Sequence, residues 1–387
     1  MRYATEIKFN TNYPSVNDLI RRARQRIPGF AFEYLDGGCN EEVNKNKNTT
    51  ALREIELEPN YLDDFHGANL TTEILGIPYN APYGIAPLGL QGLIWPNASE
   101  ILARTAFKNK IPFVLSTVAT SSIERISELT EGTAWFQLYH PADNNIKNDL
   151  IKRADAAGCP VLVLLCDTPS YGFRPREIRV GLSMPPKMTY QNIIEMFARP
   201  RWTYNSLRYG KPHFANLMPY MPKNLNLSKL GSFMNQVFDK RMNYDKIAAI
   251  RDQWKGKLIL KGVAGEKDAE MAMRLGLDGM VISNHGGRQL DAGEASVKSL
   301  LRLVEKYGDQ TTLMMDSGLR SGPDIARALA AGAKFTFLGR AFMYSVAALG
   351  SAGGNHMAGL LEAQLRQVME QLGCEEIAKL PSHLISD

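Results

Sequence analysis

VISNHGGRQLD, Val281 to Asp291, is the stretch on which the reading of this chain turns. A short apolar run breaks abruptly into glycine flanked by ionisable side chains, as a buried strand does where it opens into a site. Because side chains alternate across a strand, Ser283 and His285 project to one side, and Gly286 and Gly287 let backbone approach a ligand with no Cβ in the way. Arg288 adds a fixed cation. A histidine that can take a proton and an arginine that can grip a carboxylate through two parallel hydrogen bonds, three residues apart, suit an acidic substrate that loses a proton. A histidine beside glycine is also an ordinary structural residue, so the neighbouring strand ends must decide.

Working outward, short β-rich apolar runs alternate with amphipathic stretches of ten to fifteen residues from Tyr83 onward. The strands read YGIAP from Tyr83, PFVLS from Pro112, AWFQLY from Ala134, PVLVLLCD from Pro160, KLILKG from Lys257, DGMVIS from Asp278, TTLMMD from Thr311 and KFTFLGR from Lys334. Eight strands with a helix after each predict a (β/α)₈ TIM barrel, an α/β fold whose chemistry sits at the C-terminal strand ends. Polar residues gather at those ends: Gln137 and Tyr139 on strand three, Asp167 on strand four, Lys261 on strand five, Ser283, His285 and Arg288 on strand six, and Asp316 on strand seven. Each alone has a bland explanation, a turn before Pro169 for Asp167 or a solvated side chain for Lys261. Their clustering at one end of the barrel does not.

The flanks are read as one domain over residues 1–387. Residues 1–80 form an N-terminal cover, 81–350 the barrel, 170–242 an insertion after strand four, and 351–387 a C-terminal helix and tail. Ser15, with Asp18 three residues on, begins a helix that Pro28-Gly29 ends, and AFEYLDGG continues as a second helical piece carrying Tyr34. Residues 41–80 carry only short apolar runs. In the insertion, YGFRPRE puts Arg174 and Arg176 where either can return over the barrel mouth, MPPKM and LMPYMP speak against one long helix, and FARPRWTYNSLRYGKPHF mixes aromatics with cations. Residues 181–240 hold eight Lys/Arg against two Asp/Glu, a net +6 in a chain whose net charge is +5. No zinc-finger, RNA-binding sheet or basic-helix pattern accompanies that charge, which excludes a nucleic-acid reading. It reads either as a solvated loop or as a peripheral contact with anionic lipid or an acidic partner.

The bulk composition, 44% hydrophobic and 22% charged over 387 residues, is that of a globular enzyme. Four cysteines without metal-ligand spacing, and a start MRYATEIKFN lacking an apolar signal core, point to a reducing cytoplasm and no metal centre. No apolar run approaches the roughly 18 residues of a spanning helix. Strands seven and eight lead into DSGLRSG and LGR, and in barrels the loops after those strands often make a phosphate site from backbone N–H groups and a helix N-terminus. Gly318 and Gly339 would allow close approach, Arg320 and Arg340 would supply charge, and Asp316 would hold a ribityl or ribose hydroxyl. Neither GxGxxG after the first strand nor GxxxxGKT competes. A phosphate there and a base at strand six imply a phosphorylated cofactor across the barrel mouth. FMN suits it, with Lys261 beside the ring edge that gains charge on reduction.

At this point SNHGGRQLD, with IAPLG, LST, FQLY, DTP, LKG, DSGLR and LGR in order over nearly the whole chain, resembles the FMN-dependent L-2-hydroxy acid oxidases and dehydrogenases. That family includes glycolate oxidase, flavin-linked lactate dehydrogenases and membrane-associated mandelate dehydrogenase, and the last branch is the nearest in look. The resemblance implies that His285 is the active-site base, with Asp167 stabilising its protonated form. It implies that Arg174 and Arg288 bind the substrate carboxylate with help from Tyr34, and that Tyr139 bonds the substrate hydroxyl or developing carbonyl. Pro87, Leu88, Gly89, Ser116, Gln137, Lys261 and Ser283 would line the flavin, and Asp316, Gly318, Arg320, Gly339 and Arg340 its ribityl phosphate. The implied reaction takes a small L-2-hydroxy acid to the 2-oxo acid in a homotetramer.

Three departures refine this. Leu165 stands where many relatives have a flavin-binding threonine. Gly89 stands where oxidases resemble one another in having alanine, whereas the mandelate dehydrogenase branch resembles this chain in having glycine. Val118 replaces the bulky tryptophan of plant glycolate oxidase, which leaves room for an aromatic or extended aliphatic substrate side chain. Gly89 and the basic insertion favour a dehydrogenase passing electrons to a quinone or other acceptor, peripheral on the inner face of the cell membrane. The alternatives are a soluble oxidase making hydrogen peroxide from oxygen, another FMN barrel such as a flavin-dependent isomerase, and a non-catalytic flavin-binding scaffold.

Overall fold

The computed structural model describes residues 8–182, 189–222, 233, 236–239 and 241–385. The MPPKM stretch therefore lies outside the described residues. Eight parallel strands form the barrel: β1 (Tyr83–Ile85), β2 (Val114–Ser116), β3 (Trp135–Leu138), β4 (Val161–Leu165), β5 (Lys257–Val263), β6 (Gly279–Ile282), β7 (Thr312–Met315) and β8 (Phe335–Leu338). Neighbours pair in the order β1-β8-β7-β6-β5-β4-β3-β2. A parallel bridge between Ile85 and Phe113 joins the two ends of that order and closes the ring. All eight strands fall where the alternating pattern places them.

Strand parity builds two cores from one sequence. Val161, Val163, Ile259, Val281, Met314, Phe335 and Phe337 pack together inside the barrel. Their neighbours Leu162, Leu164, Leu258, Leu260, Met280 and Ile282 join the larger layer between strands and helices. Both faces being apolar, these strands read as continuous hydrophobic runs, as buried parallel strands do.

The N-terminal cover divides between the two ends of the barrel. An antiparallel hairpin, Thr72–Ile74 with Ile77–Tyr79, joins the interior core, and the Trp135 indole donates to the Tyr79 hydroxyl at 2.9 Å. Helix Val16–Arg26 starts at Ser15 with the reciprocal Ser15–Asp18 capping box, and helix Gly29–Asp36 follows it. Helix Val43–Arg53 was not legible in the sequence. Its Asn44 and Asn48 are fully buried, and they bond the 284–296 loop rather than supplying an apolar stripe.

Part of the insertion is helical: of FARPRWTYNSLRYGKPHF, read as either a solvated loop or a peripheral contact, residues 200–209 form a helix and 210–214 do not. Helix Tyr190–Phe197 is capped by Thr189, and helix Pro200–Tyr209 carries proline in its first turn, where a missing N–H is harmless. Trp202 donates to Ile94 O at 3.0 Å and meets Phe30 edge-on, while Glu195 accepts from Gly29 N at 2.6 Å. These contacts dock the helices beside the barrel mouth. No helix among the described residues is long and apolar enough to cross a membrane.

Candidate active site

Continuing the inward parity to the C-terminal end of each strand reaches Ser116, Gln137, Tyr139, Asp167, Lys261, Ser283, Asp316 and Gly339. A cavity of about 1200 Å³ opens there and extends to the insertion at Met196 and Trp202. Of the residues singled out in the sequence, Tyr34, Pro87, Leu88, Gly89, Gln137, Tyr139, Arg174, Lys261, His285, Arg288, Asp316, Gly318, Arg320, Gly339 and Arg340 line it. Ser116, Asp167 and Ser283 stand behind the lining and brace it: the Ser116 hydroxyl accepts from Val118 N, and Ser283 Oγ accepts from Lys261 Nζ at 2.8 Å.

His285 lies on a tight left-handed turn. Its φ is 58°, followed by 65° at Gly286 and 72° at Gly287. Left-handed backbone is strained for a side-chain-bearing residue and needs surrounding bonds to persist. Here Ser283 Oγ accepts from His285 N at 3.1 Å, and Ser317 Oγ accepts from Gly286 N at 3.0 Å. A Cβ on Gly287 would sit 2.4 Å from Lys45 N, so helix Val43–Arg53 seats against the turn only because residue 287 is glycine. The imidazole Nδ1–H donates to Asp167 Oδ1 at 3.0 Å, leaving Nε2 as the ring nitrogen available to a ligand. Burial works to raise the Asp167 pKa, but facing His285 and Lys261 outweigh it and the net shift is downward. The imidazole is thus backed by an ionised carboxylate.

Two guanidiniums share the cavity with this pair. Arg288 spends Nη1 on the carbonyls of Tyr34 and Gly37, at 2.9 and 2.8 Å, and Nη2 on Glu177 Oε1 at 2.6 Å. Its guanidinium lies over the Tyr34 ring at 5.1 Å. Arg174 Nη2 donates to Gln289 Oε1 at 3.2 Å. The Tyr34 hydroxyl donates to Gly89 O at 3.3 Å. Burial and then Asp167 push the Tyr139 phenol well above its ordinary pKa, so it stays a protonated donor. Arg176, read with Arg174 as able to return over the mouth, turns the other way, onto Glu33, Asp36 and Glu42 of the N-terminal cover. Glu177 and Gln289 were missed. The signal for Glu177 was its place three residues after Arg174 in PREIR, on the same side of a helical turn.

At the strand-seven and strand-eight end, two of the named residues also make structural contacts. Arg340 Nε, Nη1 and Nη2 donate to the carbonyls of Leu35, Gly286 and Gly37 at 3.1, 2.8 and 2.8 Å. Its side chain ties the Gly286 turn to the C-terminal end of helix Gly29–Asp36 while lining the cavity, and its backbone N–H stands at the start of helix Arg340–Leu349, where an anion could be met. A Cβ on Gly318 would lie 2.7 Å from Asn48 O, so this glycine admits helix Val43–Arg53 as well as bordering the cavity. Lys261 meets Asp316 Oδ2 at 2.8 Å, and the other Asp316 oxygen accepts from Ser317 Oγ. Burial alone would lower the Lys261 pKa, yet Asp316 and Asp167 raise it overall. The wall therefore offers a buried ammonium at one point, and Arg320 with a helix N-terminus at another. That donor set fits a planar cofactor bearing a phosphate.

The departures from the family pattern also have places. Leu165 lines a separate cavity of about 240 Å³ behind Tyr139, not the large one. Val118 lines the large cavity, and a Cβ added to Gly89 would come within 2.9 Å of Val118 Cγ2 and 3.8 Å of the Tyr34 hydroxyl.

Comparison with known proteins agrees with this geometry. An L-lactate dehydrogenase of a Caulobacter species is 35% identical over 96% of this chain and 98% of its own length. A putative L-lactate dehydrogenase of Mycobacterium tuberculosis is 36% identical over 96% of this chain and 88% of its own. Among solved structures, the monotopic membrane protein (S)-mandelate dehydrogenase superposes with a TM-score of 0.92 at 33% identity, covering 97% of this chain and all of that one. A mandelate oxidase does so at 0.81 and 29%, covering 97% of this chain and 99% of that one. The family profile described as FMN-dependent dehydrogenase matches residues 23–387, and with a barrel mouth that can seat a flavin phosphate beside a carboxylate-backed histidine, the chain belongs to the FMN-dependent dehydrogenases.

Proposed function

We propose that this enzyme oxidises an L-2-hydroxy acid to the corresponding 2-oxo acid. The observation that carries the reading is His285 Nδ1 held by Asp167 at 3.0 Å on the wall of the cavity that also receives Arg174, Arg288, Tyr34 and Tyr139. In this reading Arg174 and Arg288 take the substrate carboxylate with Tyr34 assisting, and Tyr139 bonds the substrate hydroxyl or developing carbonyl. His285 Nε2 removes a proton, and the imidazolium that results is stabilised by the Asp167 carboxylate. FMN, when bound, supplies the two-electron acceptor. Pro87, Leu88, Gly89, Gln137 and Lys261 would hold its ring, backed by Ser116 and Ser283. Asp316, Gly318, Arg320, Gly339 and the Arg340 backbone would hold its ribityl phosphate.

The relatives' names point to lactate and mandelate, and the space beside Val118 and Gly89 suits a side chain larger than hydrogen. For the second half of turnover we propose a membrane quinone. Tyr190, Ile194, Phe197, Tyr204 and Leu207 of the insertion helices are all more than 60% exposed; in sequence Arg199 and Arg201 fall between them, and Arg208 and Lys211 follow closely. Exposed apolar side chains interleaved with cations suit the interface of an anionic bilayer. The deciding experiment is anaerobic bleaching of the bound flavin by a panel of L- and D-2-hydroxy acids, followed by air. Bleaching by L-acids with slow return of colour supports a dehydrogenase; fast return with peroxide favours an oxidase, and no bleaching by any acid removes the reading.

A further inference from the structure

Glu177 is a carboxylate inside a site that reads as a receptor for carboxylates. It is 8% exposed and lines the large cavity. Its Oε1 accepts from Arg288 Nη2 at 2.6 Å and lies 3.4 Å from Arg174 Nη1, so one oxygen bridges both guanidiniums. Among the described residues, no other carboxylate pairs with either arginine. The placement is built in: Pro175 starts a short helix at Arg174, Glu177 falls one turn on, and Arg176 pins the far side of that turn to Glu33, Asp36 and Glu42. The loop that carries Arg174 is pressed onto the one that carries Arg288, because a Cβ on Gly172 would lie 2.1 Å from Arg288 O.

Two half-buried cations without a counter-ion would repel each other and hold any carboxylate tightly. Burial and then the neighbouring Arg174 already pull the Arg288 pKa down, and Glu177 opposes them. Substrate and 2-oxo product carry the same carboxylate, so a clamp of unopposed charge grips both alike, and uniform tight binding slows release without helping the chemical step. We infer that Glu177 is the counter-charge that sets how tightly the Arg174–Arg288 clamp holds a carboxylate, and thereby how readily the 2-oxo product leaves. This rests on the reading of those arginines as the substrate clamp. Glu177 acts through them and is a positioning residue, not a catalytic one.

The test uses oxidised holoenzyme titrated with pyruvate and phenylglyoxylate, and with the neutral primary amide of each, followed by the perturbation of flavin absorbance. Glu177→Gln keeps the acceptor oxygen and removes the charge, while Arg288 stays protonated. The expected result is about tenfold tighter binding of the acids, with the amides within about twofold of wild type. Glu177→Asp draws the charge back by one methylene and should tighten the acids by a smaller factor, giving the order Gln, then Asp, then Glu. In turnover, KM and kcat should fall together where product release limits. A merely structural glutamate predicts the opposite sign, weaker binding of acids and amides alike. Acid binding that is unchanged or weaker in either variant overturns the inference, as does equal tightening for acids and amides. Should Glu177→Gln lose its flavin, the Glu177→Asp titration decides alone. Wild-type protein that binds neither acid would overturn the clamp reading itself, a failure distinct from that of the role given to Glu177.

Discussion

Asp167→Asn tests the proposed base through its partner rather than through itself. The substitution keeps an oxygen that accepts the His285 Nδ1–H and removes one negative charge 3.0 Å from the ring. At that separation, with an effective dielectric near 20, the attraction between an imidazolium and a carboxylate is roughly 5 kcal/mol. The retained hydrogen bond gives back about 1–2 kcal/mol, so about 3 kcal/mol of stabilisation of protonated His285 should disappear. That corresponds to roughly a hundredfold loss. Asp167 Oδ2 is buried with no protein partner, so an amide nitrogen placed there loses no existing bond. The quantity to measure is the first-order rate of anaerobic flavin bleaching at saturating L-hydroxy acid, by stopped flow, with flavin content and Tm as controls. A rate within about threefold of wild type, in protein that retains its flavin, would show that His285 does not carry a proton in the rate-limiting step.

Other substitutions test the scaffold and the surface. Gly287→Ala places a Cβ 2.4 Å from Lys45 N at a residue whose φ is 72°; the expected outcome is a loss of several kcal/mol in denaturant unfolding and poor flavin retention, and wild-type behaviour in both would contradict the packing described. Asp36 accepts from Tyr344 and Arg176 and faces Lys45; burial works to raise its pKa, and these partners push it down to about 2. A depressed carboxylate contributes stability that is present above its unfolded pKa near 4 and lost as pH falls toward 2, so Asp36→Asn should cost about 2 kcal/mol at pH 7 and flatten the acid limb of stability between about pH 4 and 2. Phe197→Ser with Ile194→Ser, at positions 79% and 69% exposed, should leave bleaching unchanged and weaken sedimentation with anionic liposomes; unchanged sedimentation argues against the proposed membrane face. Light scattering of the holoenzyme should give the mass of four chains, and a monomer would remove the tetramer expected from the family resemblance.

What was legible in the sequence follows from strand geometry. A parallel strand buried on both faces must be apolar along its length and must stop being so where it reaches the mouth. PVLVLLCD and TTLMMD therefore announce both the strand and the residue at its C-terminal end. The rest depends on contacts between segments far apart in the chain. Helix Val43–Arg53, VNKNKNTTALR, is held by buried asparagines that bond loop carbonyls and amides, and such a helix has no 3.6-residue apolar period to read. Arg340 and Gly318 show the same limit from the other side. A cation and a glycine after a barrel strand suit a phosphate, yet three backbone carbonyls and a neighbouring helix require the same two residue types. Sequence names the donor; only the fold names what it donates to. The distinction has mechanistic weight in Arg288, whose two terminal nitrogens are already engaged by Tyr34, Gly37 and Glu177 before any ligand arrives. A guanidinium fixed in that way cannot swing to meet a substrate, so the carboxylate has to come to it, and the strength of the grip is left to the charge of Glu177.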